Sequence, residues 1–113
     1  PERRMYLLLH TLAQCIKACA RTRIIYAGDY LGRARTTFFL MKCQIDDADG
    51  MRRSTFRPEI ETRLLPDLGP IPLTRDGILH EVVNLIEIAA AAYPQFADML
   101  SLFRRSYTKY GLP

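Results

Sequence analysis

Two tyrosines and two arginines lie close together in the first half of the chain, at Tyr26, Tyr30, Arg33 and Arg35. Aromatic rings offer a stacking surface, and guanidinium groups bind phosphate or carboxylate in a flat, bidentate geometry. At the open end of a helical hairpin, such side chains can hold a nucleotide or a sugar. The structural alternative is that the tyrosine rings pack with wet hydroxyls while both arginines are solvated or paired with neighbouring acids. We treat the four residues as a candidate ligand site.

The cysteines and a cluster of acidic residues are further candidates for metal binding or thiol chemistry. Cys15, Cys19 and Cys43 are odd in number and lack a paired metal-ligand spacing. Cys15 and Cys19 are four residues apart, on one face of a helix, where buried free thiols are the usual outcome and favour a reducing cytoplasm. The acid-rich turn at 46–50 resembles half of a calcium loop, but its glycine comes one position early and no terminal Glu follows. We therefore predict no metal site, and no motif indicates a cofactor.

The length and composition suit one domain. The chain has 113 residues, 49% of them apolar, and a net charge of +4 from sixteen basic and twelve acidic residues. Interspersed charge of this size is not the concentrated basic stripe of a dedicated nucleic-acid-binding protein. No apolar run approaches the ~20 residues of a membrane span, so no membrane partner is expected. Because the chain enters helical periodicity directly from Pro1, we interpret 1–113 as one helical-bundle domain, a fragment of a longer protein.

Four segments carry apolar residues at helical spacing. The boundaries that we predict are Glu2 to about Tyr26 with Gly28 as the stop, Asp29 as cap of a helix through Ile45, Thr74 as cap of a helix ended by Pro94, and a last helix ended by Gly111. A short helix is predicted at 58–65. The segment TTFFLMK also suits a strand, but the unbroken periodicity favours helix. Four main helices and one short helix predict an all-α, up-and-down helical bundle.

The segment Gly28-Asp29-Tyr30, followed by Arg33-Ala34-Arg35 and an aromatic-rich helix, resembles the second-helix region of HEPN domains. It is equally similar to the related C-terminal helical domains of small nucleotidyltransferases, including the aminoglycoside- and lincosamide-modifying enzymes. The closing segment 102–113 resembles the end of such a domain. The resemblance implies a helical bundle that contacts substrate or a partner protein while another domain transfers the nucleotide.

The HEPN resemblance also implies a catalytic pair. HEPN ribonucleases carry an Arg, then four to six residues, then a His, and Arg75 and His80 fit this pattern with a four-residue gap. Arg4 and His10 fit with a five-residue gap, although Met5 follows the arginine. Histidine can move the 2′-hydroxyl proton while arginine stabilises charge on the phosphate, provided that both face one cleft, usually across a dimer in that family. The structural alternative is a solvated Arg75 and a partly buried His80 bonded to a neighbouring loop.

Three functions follow as expectations. The first is a binding or interaction domain without activity of its own. The resemblance implies that it would be the acceptor-site domain beside an N-terminal nucleotidyltransferase domain. The second is a metal-independent HEPN-type ribonuclease that uses Arg75 and His80. The third is a structural homodimerisation module that buries apolar surface against a second copy. The expected ligands are a nucleotide, RNA or a small-molecule acceptor, in the cytoplasm.

Overall fold

The computed structural model describes residues 2–42 and 69–113, and the structural statements below concern these two ranges. The four α-helices are α1 (Glu2–Ala20), α2 (Ile24–Lys42), α3 (Arg75–Ala92) and α4 (Ala97–Ser106), with 3-10 turns at Pro94–Phe96 and Thr108–Tyr110. Neither range contains a strand, and the TTFFLMK segment is helical, so the predicted all-α helical bundle is confirmed. Cys43, the acidic turn at 46–50 and the short helix predicted at 58–65 lie outside the described residues.

The connection between α1 and α2 lies six residues earlier than predicted. α1 ends at Ala20, and Gly28, predicted to stop it, is an interior residue of α2. The stop is Thr22, whose φ of 56° is left-handed. The Thr22 amide donates to the Cys19 carbonyl at 3.0 Å and the Arg23 amide to the Ala18 carbonyl at 2.9 Å, which together close a Schellman turn. The sequence Arg-Thr-Arg lacks the glycine that usually marks such a turn, so the residue types alone do not indicate that α1 ends here.

The core lies where α1, α2 and α3 meet, and α1 and α2 pack along each other as an antiparallel hairpin. The core residues recur at three- and four-residue steps on each helix, which is why three amphipathic helices can share one interior. Its largest fully buried apolar side chains are Phe38, Met5, Leu8, Leu12, Ile16, Leu31, Ile78, Leu85, Leu100 and Val82. No helix in the described ranges combines the length and the apolar character needed to cross a bilayer.

Capping interactions define the start of α3 and the end of the last 3-10 turn. The Thr74 hydroxyl accepts a hydrogen bond from the Gly77 amide at 3.1 Å, which confirms Thr74 as the cap of α3. Gly111 ends the last 3-10 turn with a φ of 96°, a conformation that glycine adopts without strain. The Arg104 side chain donates to the carbonyl of Pro113 at 3.0 Å. The Arg104–Pro113 hydrogen bond holds Pro113 against α4.

Candidate functional site

A groove opens at the corner where α1 ends and α2 begins. Its volume is about 300 Å³, the lower end of the range for small-molecule sites. The lining residues come from the last turns of α1, the connection and the first turns of α2, and they are Gln14, Lys17, Ala18, Arg21, Arg23, Tyr26 and Tyr30. Two of the four predicted ligand residues, Tyr26 and Tyr30, therefore line one groove together with three cations.

The groove is electropositive because it has cations and no carboxylate in its lining. Within residues 2–42 and 69–113, no carboxylate forms an ion pair with Lys17, Arg21 or Arg23. Arg21 and Arg23 are exposed and Lys17 is half-buried. Their positive charge is therefore available to a ligand, and an anion is the ligand that this surface attracts.

Tyr26, Tyr30 and Arg33 form a stripe on α2, because residues four and seven apart lie on one helical face. The Arg33 guanidinium carbon lies 5.3 Å from the centre of the Tyr30 ring, within cation–π distance. Tyr26 and Arg33 are exposed and Tyr30 is half-buried. Arg33 thus places a further cation beside the Tyr30 ring, although it is outside the groove lining.

Arg35 is separated from the other three predicted ligand residues. Two residues on from Arg33, it is turned by about 200° around α2 and faces the interior of the bundle. Its exposure is 1%, so the alternative prediction of a solvated Arg35 is wrong. Its Nη2 lies 3.3 Å from Oε2 of Glu81 on α3, and its Nη1 donates to the Gly69 carbonyl at 2.8 Å. The physical reason is its position between Leu31 and Phe38 on the core face.

The predicted catalytic pair lies on α3 with its two side chains on different faces. Five residues separate Arg75 and His80, which turns one side chain by about 140° from the other. Arg75 extends over the C-terminal turn, where its guanidinium lies against Gly111. His80 is exposed rather than partly buried as the structural alternative expected. The catalytic use of Arg75 and His80 stays a prediction.

Cys15 and Cys19 are free, fully buried thiols on α1, as predicted. The Cys15 thiol lies 3.3 Å from the Ala27 carbonyl, to which it donates, so it links the two helices of the hairpin. Hydrogen bonding to Cys19, together with burial, raises the pKa of Cys15 well above its usual range. Interaction with the neighbouring Cys15 thiol lowers the pKa of Cys19 despite its burial, and the Arg75 charge lowers it further. With no exposure at either sulfur, both thiols act as packing groups.

Lys17, Arg21 and Arg23 are groove residues that the sequence patterns did not indicate. The sequence nonetheless carries a signal for them, since residues 3–28 contain five basic side chains and no Asp or Glu. The average charge of the chain hides this local concentration. The signal was missed because the predicted boundary at Gly28 put the mouth of the hairpin about two helical turns too late.

Comparison with known proteins gives no second line of evidence. No family model, curated protein or solved structure matches this chain. The HEPN and nucleotidyltransferase resemblance therefore stays a prediction. The groove and the side chains that line it are the features of the described residues that point to a function.

Proposed function

We propose that this chain is a helical binding domain whose groove between α1 and α2 holds a nucleotide. The observation that carries the proposal is the acid-free groove, which is lined by the cations Lys17, Arg21 and Arg23 and by the rings of Tyr26 and Tyr30.

The two kinds of side chain match the two parts of a nucleotide. Arg21 and Arg23 can donate paired, charge-assisted hydrogen bonds to phosphate, each worth roughly 1.5–3 kcal/mol. The exposed Tyr26 ring presents a flat face on which a base stacks, and Arg33 lies over the neighbouring Tyr30 ring, where its charge is close to a bound phosphate group. A neutral sugar would use neither the charge nor the ring faces fully, so the groove favours a phosphorylated, aromatic ligand.

The resemblance to nucleotidyltransferase helical domains supplies a setting for this proposal. In that setting, a separate catalytic domain transfers the nucleotide and the groove holds either the nucleotide or a phosphorylated acceptor. The described residues would then contribute binding and orientation, with no activity of their own. Because the groove faces outward at the hairpin corner, a second domain can approach it without disturbing the core.

Calorimetric titration with a nucleoside and its mono-, di- and triphosphates tests the proposal. Affinity is expected to rise with each phosphate and to fall as the salt concentration is raised from about 50 to about 200 mM, because exposed cations supply the attraction. The double substitution Arg21→Gln and Arg23→Gln is expected to weaken triphosphate binding by roughly tenfold or more. Tyr26→Ala should weaken binding of the nucleoside triphosphate more than binding of inorganic triphosphate, which has no base to stack.

Arg105→Gln is the matched control, because it removes an exposed arginine of α4 that is outside the groove lining. It should change the affinity by less than about twofold. Equal binding of nucleoside and triphosphate would contradict the proposal. So would an equal loss in the groove variant and in the Arg105 control.

A further inference from the structure

The solvent face of α1 continues the chemistry of the groove toward the other end of the helix. The residues on this face follow one another at steps of three or four, and they are Tyr6, His10, Gln14, Lys17 and Arg21. The last three line the groove, whereas Tyr6 and His10 lie beyond it. Groove and helix face are therefore one continuous surface.

This face is more exposed than its composition would lead one to expect. Tyr6 is 54% exposed and its neighbour Leu7 is 49% exposed, although both are large apolar side chains on a helix whose opposite face is fully buried. His10 is also exposed. Single exposed apolar residues are common, but here an aromatic ring, an imidazole and two cations lie along one acid-free stripe.

We infer that the nucleotide in the groove is one unit of a single-stranded nucleic acid whose neighbouring nucleotides follow the exposed face of α1 toward Tyr6. This inference rests on the proposed function and extends it from a mononucleotide to a strand. Surfaces that bind single strands combine cations that follow the backbone with rings on which unpaired bases stack. On α1, Lys17 and Arg21 supply the cations, while Tyr6 and His10 supply the rings.

The length of the surface sets the length of strand that it accommodates. From Tyr6 to Arg21 the helix rises about 22 Å, which is several times the extent of one nucleotide in the groove. Charge complementarity supports a polyanion over a peptide of mixed charge, because the first acid after Glu2 is Asp29 on α2. A paired duplex would keep its bases stacked on each other, so the exposed rings favour unpaired bases.

Binding of oligonucleotides of increasing length by the whole chain tests the inference. The probes are a mononucleotide, a dinucleotide, a tetranucleotide and an octanucleotide of uridine and of thymidine, measured by fluorescence anisotropy at low salt. The octanucleotide of at least one sugar type is expected to bind roughly tenfold or more tighter than the dinucleotide. A duplex of the same length is expected to bind more weakly than the single strand.

Tyr6→Ala locates the strand. It should weaken octanucleotide binding by roughly fivefold to tenfold and leave mononucleotide binding unchanged, since Tyr6 is outside the groove. Leu102→Ala is the control, because Leu102 is 59% exposed on α4, away from this face of α1; it should change neither affinity.

Two results would overturn the inference. One is an octanucleotide that binds no tighter than the dinucleotide in both sugar series, and the other is an octanucleotide affinity that Tyr6→Ala leaves unchanged. Either result, with mononucleotide binding intact, would exclude binding of a single strand along α1 and leave the proposed nucleotide site standing. Loss of mononucleotide binding itself would remove both.

Discussion

Arg35 of α2 and Glu81 of α3 form an ion pair inside the helical bundle, with 3.3 Å between Nη2 and Oε2. The Glu81 side chain keeps 22% of its exposure, so the pair lies at the edge of the interior with its cation inward. A hydrogen bond from Arg35 to the Gly69 carbonyl joins the same guanidinium to the segment before α3. Because a buried charge needs partners to offset its lost hydration, this pair fixes how α2 and α3 pack.

Replacement of Glu81 by glutamine tests the importance of this pair. Glu81→Gln keeps the size of the side chain but replaces the carboxylate beside the buried Arg35 charge by a neutral amide, and we expect the free energy of unfolding to fall by about 1–3 kcal/mol. The measurement is urea denaturation followed by circular dichroism. An unchanged slope with a lower midpoint would identify the change as a loss of native stability.

Glu87→Gln is the matched control on the same helix. Glu87 pairs with Arg104 at 3.3 Å, but its side chain is 61% exposed and that of Arg104 is 37% exposed. Water screens such a pair, so we expect a loss of no more than about 0.5 kcal/mol. Equal losses in the two variants would contradict the structural role given to Arg35.

Helical periodicity made most of this fold predictable from the sequence. The apolar residues of α1, α2 and α3 repeat at three and four, and the Thr74 cap stands directly before its helix. The burial of Arg35 is also indicated by the sequence, because Arg35 lies four residues after the core residue Leu31 and three before the core residue Phe38. Its partner Glu81 is 46 residues away in sequence, however, and no local pattern indicates such a contact.

The candidate site was predictable only in part. Tyr26, Tyr30 and Arg33 share a face because they are four and three residues apart, and this follows from sequence alone. The contribution of α1 depends on where the chain turns, and a left-handed Thr22 gives no compositional sign of a turn. Position in space, rather than residue type, therefore decided which cations join the site.

Two glycines in helices are expected to respond in opposite directions to alanine. A Cβ at Gly77 would lie 2.7 Å from the capping Thr74 oxygen and 2.9 Å from Cβ of Pro72, so it would displace the cap. We expect Gly77→Ala to lower the free energy of unfolding by about 1–2 kcal/mol. Thermal and urea denaturation would measure the change.

Gly28→Ala is the comparison, because its Cβ would meet Ile71 at 3.5 Å, an ordinary contact inside α2. Alanine at this position should raise the free energy of unfolding by about 0.5–1 kcal/mol through its higher helix propensity. A loss of stability would support the original expectation that Gly28 stops a helix. Gains in both variants would contradict the tight packing at Gly77.

His80→Ala tests the ribonuclease prediction. We expect no RNA cleavage by the chain, because Arg75 and His80 are turned about 140° apart on α3. We also expect a stability change within about 0.5 kcal/mol, since His80 is exposed. A labelled RNA incubated across a pH series would measure cleavage. Cleavage by the unchanged chain that disappears in the folded His80→Ala variant, and persists in His10→Ala, would instead support a ribonuclease whose site spans two copies.

Thr22 holds a backbone conformation that is unfavourable for a β-branched residue, and it does so at the corner that supports the groove. Its φ of 56° costs about 1–2 kcal/mol relative to glycine, so Thr22→Gly should raise the free energy of unfolding by about 1 kcal/mol. Ala20→Gly, two residues earlier and within α1, should lower it by about 0.5–1 kcal/mol because its backbone is helical. Thr22 does not line the groove, so nucleotide affinity should stay constant in Thr22→Gly. Destabilisation by Thr22→Gly in urea denaturation would show that the Schellman turn does not persist in solution. The placement of Arg21 and Arg23 in the groove would then also be contradicted.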